Sequence, residues 1–287
     1  MKWQEPIVFL RPVCITSVNS SDVLSHMVST KYKDMPSMNQ LYNNSASATG
    51  TIENPKKLLA SPRHTLTLFG IVMILLVAGV LNVSNKPAVS QTPDPSQMLK
   101  TNLIMIAILW YWAFFIYKGM QGYGRSVLEF FEFKSFMPNK LIADCAYAVL
   151  ALVLIFACSY GVHHLLPDHV SPSSNPILSS RPTGLFGITA WICLSISAGI
   201  CEEIVFRGYL QRQLALMTGN VGVAILLQAI LFGIGHAYEG LSSVIAIMLH
   251  GLFLGILAHW RGNIRAGIIE HAGWDILAGF GLLNENW

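Results

Sequence analysis

Seven apolar segments alternate with polar stretches along the chain, at roughly residues 65–83, 102–117, 143–162, 184–214, 220–237, 241–259 and 265–283. A helix that crosses a bilayer needs about 20 apolar residues, within a range of about 17–25, and six of the seven segments suit that length. The pattern predicts an all-α fold, a polytopic transmembrane helix bundle of about seven spanning helices with a polar intramembrane site. The stretch 184–214 exceeds one span because it carries Glu202, Glu203 and Arg207, followed by Gln211, Arg212 and Gln213. Prolines mark two of the loops: Pro87, Pro93 and Pro95 after the first segment, and Pro167, Pro172, Pro176 and Pro182 after the third.

Residues 1–62 are polar and rich in Ser, Asn, Thr and Met with no sustained period, which predicts a disordered cytoplasmic tail. The Asn-x-Ser match at Asn43-Asn44-Ser45 would then face the wrong side for glycosylation. Residues 63–183 hold the three N-terminal segments, and 184–287 a core of four. Lys and Arg set the orientation. With the tail inside, fifteen fall in inside segments and three outside, at Lys86, Lys100 and Arg181.

Composition agrees: 53% of residues are hydrophobic and 11% charged, against about 25% charged in soluble domains. A net charge of +3 is too small to argue for a nucleic-acid partner; the lipid bilayer is the expected one. The five cysteines (14, 145, 158, 193, 201) form no CxxC pair, so neither a disulfide framework nor a cysteine zinc site is expected.

Charged groups at membrane depth are costly and rarely kept without a use. Glu203 and Arg207 are i and i+4 on one helix, in the better ion-pair orientation, and are expected to neutralise each other. Glu202 points about 100° away on a helix of about 3.6 residues per turn and is left free. His236 stands in LFGIGHAYEG, where Gly233 and Gly235 permit close backbone approach; alone, it reads more readily as a packing residue than as a catalyst. His271 and Asp275 are again i and i+4, so the carboxylate can accept from one ring nitrogen, fix the tautomer and leave the other nitrogen free.

With the inner boundary near Leu214, Asn220 and Arg265, a rise of about 1.5 Å per residue puts Glu202, His236, His271 and Asp275 about 18, 24, 9 and 15 Å deep. Tilted or broken helices are then needed to bring the two histidines together. Other positions carry weaker signals. His163, His164 and His169 surround a proline-containing outer loop, where hydration explains them. His250 reads as packing, Glu270 points off the face of His271, and Gly251-x-x-x-Gly255 fits a close helix crossing within the chain.

No HExxH or GxSxG motif is present, which removes the ordinary zinc and serine protease patterns. What remains is Glu202-Glu203-Ile-Val-Phe-Arg207, Phe232-Gly-Ile-Gly-His236 and His271-Ala-Gly-Trp-Asp275, in order on successive helices. These resemble the EExxxR, FxxxH and HxxxN/D motifs of the CPBP family of intramembrane proteases (CAAX proteases and bacteriocin-processing enzymes), over roughly residues 184–283. The last motif has Asp275 where members that process prenylated proteins generally have Asn.

The resemblance implies an intramembrane endopeptidase in which Glu202 is the general base for water, His236 orients that water, and His271 with Asp275 binds the developing oxyanion. Ionised, Asp275 cannot donate to an oxyanion, which leaves orientation of His271 as its role. Glu203 and Arg207 would hold the helix and the field around Glu202. If a metal is bound, Glu202, His236 and His271 would be a His₂Glu zinc set; a metal-free glutamate mechanism is preferred. The implied partner is a protein or peptide substrate, prenylated in the family's best-known reaction, and the implied location is a multi-pass protein of the plasma or endoplasmic reticulum membrane. The alternatives are a proton-coupled membrane transporter, which also uses buried Glu, Arg and His, and a catalytically silent bacteriocin-immunity or scaffold protein.

Overall fold

A computed structural model describes residues 58–84, 95–132, 138–166 and 182–283. The expected tail lies outside the described residues except for its last few positions, as do most of the two proline-marked loops and His169. Among the described residues every regular element is helical. The main helices are α1 (Pro62–Ser84), α2 (Pro95–Gln121), α3 (Pro138–Leu165), α4 (Gly184–Glu203), α5 (Gln211–Thr218), α6 (Val221–Ile234), α7 (Leu241–Arg261) and α8 (Arg265–Gly279). A π-helical stretch, Ile204–Leu210, joins α4 to α5 without interruption, and short 3₁₀ turns occupy Val127–Phe130 and Ala237–Glu239. Three of the helices open on proline, where the missing N–H would have had no partner anyway.

Among the described residues four helices are long and apolar enough to cross a membrane: Ser96–Gln121, Asn139–Leu165, the continuous Gly184–Thr218, and Leu241–Arg261. Seven were expected. α6 and α8 have 14 and 15 residues, about 21 and 22 Å at a rise of about 1.5 Å, short of a hydrocarbon core of about 30 Å. Their ends explain why these two are short. α6 stops at Gly233-Ile234-Gly235, and α8 begins beyond Gly262, whose φ of 74° is the left-handed conformation that closes α7.

α6 packs on α7, α2 on α4, α4 on α8, and α3 on both α7 and α8. Glycines set the closest crossings. A Cβ at Gly233 would stand 2.6 Å from the Val244 carbonyl, and one at Gly251 would stand 3.2 Å from Ala229 Cα. The Gly251/Gly255 pair is an internal seam, as expected: Gln228 Nε2 donates to the Gly251 carbonyl at 2.9 Å and Gln211 Nε2 to that of Gly255 at 3.0 Å.

In the π stretch the Gln211 N–H reaches back five residues to the Phe206 carbonyl, and all seven of its residues are buried. Such wide turns usually mark functional sites. Gly208 sits within it because the Phe130 ring fills the space a Cβ would need. Asp144 is fully buried and accepts from Arg261 Nη2 at 2.6 Å and Arg265 Nε at 2.7 Å, joining α3, α7 and α8. Cys145, Cys158, Cys193 and Cys201 are free thiols.

Candidate active site

The last turn of α4 carries Glu202 and Glu203, the π stretch carries Arg207, and α8 carries His271 and Asp275. Gly199 lets the two helices meet: a Cβ there would lie 2.9 Å from the Ala272 nitrogen and 3.0 Å from the Ile268 carbonyl. Gly267 does the same one turn away, where a Cβ would stand 2.7 Å from Glu203 Oε2. The backbones of α4 and α8 therefore abut, and the glutamates face His271.

His271 is the centre of the cluster. Its Nδ1 lies 3.2 Å from Glu203 Oε1, while its Nε2 is 3.9 Å from both Glu202 Oε2 and Asp275 Oδ2. The same Glu203 Oε1 accepts from Arg207 Nη1 at 2.5 Å. The ion pair expected at i,i+4 is present, but Glu203 does more than neutralise Arg207. Glu203, and not the expected Asp275, is the carboxylate within hydrogen-bond distance of the His271 ring, because the Gly199 and Gly267 contacts bring Glu203 onto Nδ1 while Asp275 stands off at 3.9 Å. Glu203 and Arg207 are completely buried, whereas the side chains of Glu202 and Asp275 keep 16% and 30% of their surface. Two charges are sealed in the core and two carboxyl groups reach an opening.

His236 lies just beyond α6, where the helix has already broken at Gly235. Its Nδ1 donates to the Phe232 carbonyl at 2.9 Å, which leaves Nε2 as the accepting nitrogen. The Phe232 ring contacts both histidines, at 5.2 Å from His236 and 5.7 Å from His271, and the Arg207 guanidinium lies over it at 4.3 Å. Glu202, Glu203, Arg207, His271 and Asp275 thus form one cluster, which His236 joins through Phe232.

Three further groups border the site. His250 Nε2 bonds Glu270 Oε2 at 2.8 Å, both nearly fully buried, and the His250 ring lies 5.7 Å from that of His271 and 5.3 Å from that of Trp274. Packing was expected for His250; it packs, but it also has an acidic partner, and Glu270 does turn away from His271 towards α7. The only signal in the sequence was that both are ionisable within apolar segments, twenty residues apart on different helices. In the turn between α6 and α7, Tyr238 hydrogen-bonds Glu239. Burial raises the Glu239 carboxyl above its ordinary value of 4.5, against the opposing pull of His236, and pushes the Tyr238 hydroxyl well up. Of the outer histidines, His163 bonds Ser242 Oγ at 2.9 Å and His164 stacks on Tyr160.

Among the described residues no group of three His, Cys, Asp or Glu side chains could hold a metal ion. Glu202, His236 and His271 do not converge into such a set.

A helical membrane protein with a buried cluster of glutamates, arginine, histidines and aspartate is the class these features define. Within that class, residues 183–277 match the family model described as Type II CAAX prenyl endopeptidase Rce1-like. The matched stretch runs from α4 through Asp275 and includes all three motifs, so over these residues the chain is similar to that family, the resemblance the motifs implied. No curated protein and no solved structure matches. This similarity, together with helices long and apolar enough to cross a membrane among the described residues, points to an integral membrane protein.

Proposed function

We propose that this protein is an intramembrane endopeptidase of the CAAX type in which Glu202 activates the hydrolytic water. One observation carries it: of two adjacent glutamates, Glu203 is sealed and occupied by Arg207 and His271, while Glu202 is partly exposed and faces His271 Nε2 at 3.9 Å. A polar contact beyond about 3.5 Å is the kind a water molecule bridges.

In this mechanism Glu202 takes one proton from water as the oxygen attacks the scissile carbonyl carbon. His236 Nε2, free to accept because Nδ1 is used on the Phe232 carbonyl, orients that water. Protonated His271 is held through Nδ1 on Glu203 and donates from Nε2 to the oxyanion, an interaction that strengthens as the charge develops. The tetrahedral intermediate collapses by breaking the C–N bond, and the proton on Glu202 passes to the leaving amine. Asp275, on the Nε2 side of His271, favours the imidazolium. Arg207 holds the Glu203 carboxylate in place through Nη1. No step requires a resident metal.

The substrate proposed is a prenylated protein or peptide with a C-terminal CAAX sequence, from the family description. The test uses the full chain in liposomes with an internally quenched peptide ending in farnesyl-cysteine, two aliphatic residues and a final residue. The wild-type protein is expected to cleave after the modified cysteine, and Glu202→Ala and His236→Ala to lose that cleavage. Full cleavage by both variants would overturn the mechanism. Peptide uptake without cleavage, abolished by the same changes, would favour the transporter.

A further inference from the structure

Behind the Glu203 carboxylate, a group of deeply buried polar atoms has no hydrogen-bond partner: Arg207 Nε and Nη2, Gln211 Oε1, Gln228 Oε1 and Glu270 Oε1. Arg207, Gln211 and Gln228 have no exposed surface and Glu270 has 1%. These atoms are neighbours. Gln211 Oε1 and Gln228 Nε2 lie 2.9 and 2.5 Å from the place a Gly255 Cβ would occupy. Arg207 is one turn before Gln211, and its guanidinium lies over Phe232, one turn after Gln228. Glu270, on α8, bonds His250, whose ring lies 6.3 Å from that of Phe232.

Their other polar atoms are already engaged. The Gln211 and Gln228 amide nitrogens hold the Gly255 and Gly251 carbonyls, Arg207 Nη1 holds Glu203, and Glu270 Oε2 holds His250. Three acceptor oxygens and two donor nitrogens remain, on four side chains from three layers of the bundle. Leaving such a group unsatisfied costs about 1–3 kcal/mol, and more when it is charged. A molecule that both donates and accepts satisfies them together, and native proteins place buried water at such points.

We propose that Arg207, Gln211, Gln228 and Glu270 enclose an internal water site, separate from the hydrolytic water, which solvates the Arg207 guanidinium and the Glu270 carboxylate. Through Arg207 it holds Glu203, and through Glu203 it holds His271. The site depends on the geometry of the core alone and does not rest on the protease assignment.

Two measurements on the full chain test it. A structure at a resolution that shows ordered solvent is expected to contain water bonded to Arg207 Nε or Nη2 and shared with Gln211, Gln228 or Glu270. Those side chains closing directly on one another, with no water between them, would overturn the site. Radiolytic hydroxyl labelling, which marks side chains beside bound water, is expected to modify buried Phe232 in the wild-type protein. It is expected to fall several-fold there in the Gln211→Met/Gln228→Met variant. An unlabelled wild-type Phe232, or labelling that the double variant leaves unchanged, would count against it. If the variant does not fold, the wild-type labelling and the solvent map decide the matter alone.

Discussion

His271 Nδ1 and Glu203 Oε1 lie 3.2 Å apart although 68 positions separate them in the chain, and the same oxygen holds Arg207. One carboxylate oxygen therefore contacts both the cation of the helix that carries Glu202, the proposed general base, and the His271 ring proposed to bind the oxyanion. Glu203 belongs to the working geometry of the site as well as to its charge balance.

Replacing it tests this shared role. Glu203→Ala leaves Arg207 buried without its partner, which costs about 3–5 kcal/mol, and frees His271 to rotate. A large drop in thermal midpoint with loss of peptide cleavage is expected. Glu203→Gln keeps the shape but not the charge. It should restore part of the stability while leaving cleavage low, measured by thermal unfolding beside the quenched-peptide assay.

Asp275 is expected to respond differently. At 3.9 Å from Nε2 it does not fix the His271 tautomer, so Asp275→Asn should keep substantial cleavage, its amide being able to donate to the oxyanion. Asp275→Ala supplies neither charge nor donor. Its expected loss is at most the roughly 10²–10³-fold of a missing oxyanion donor, and kcat compared across the two variants checks the order.

Gly267→Ala acts without touching a reactive atom. The added Cβ would stand 2.7 Å from Glu203 Oε2, so either Glu203 or α8 must shift. Overpacking of this kind costs about 1–3 kcal/mol. The displaced Glu203 should lower kcat more than it changes KM, whereas Gly70→Ala, where a Cβ meets nothing within 4 Å, should change neither.

Glu239 gives a pH dependence with a definite sign. Its folded carboxyl is held above the ordinary value of 4.5, first by burial, so the native state binds the proton more tightly than the unfolded chain does. Stability from this group is full below pH 4.5 and declines as pH rises from there through the folded value. Glu239→Gln removes that decline. The variant is expected to match wild type in thermal midpoint near the acid end and to exceed it at neutral pH; equal midpoints throughout would show that the carboxyl is not strained by its surroundings.

The helical class and the local pairs were legible in the sequence because their spacing is short. Glu203 and Arg207 sit one turn apart, and Gly251-x-x-x-Gly255 announces a close crossing before any partner is known. The contacts that organise the site are of another kind. Glu203 with His271, His250 with Glu270, and Asp144 with Arg261 and Arg265 each join separate helices, and nothing in one helix specifies its partner on another. The i,i+4 spacing of His271 and Asp275 gave the wrong orienting carboxylate because it could not include the close approach of α4 at Gly199. The depth mismatch between the histidines likewise eases where Gly233 and Gly235 end α6 early, a length that hydropathy extended to residue 237.

The most direct test of the central claim is the turnover of Glu202→Gln, which preserves the shape of the side chain and removes its basicity. With the farnesylated quenched peptide, kcat is expected to fall by about 10²–10⁴-fold, the usual contribution of a general base, while KM and thermal midpoint stay near wild type. Wild-type kcat in a folded Glu202→Gln protein would contradict the assignment of Glu202 as the base.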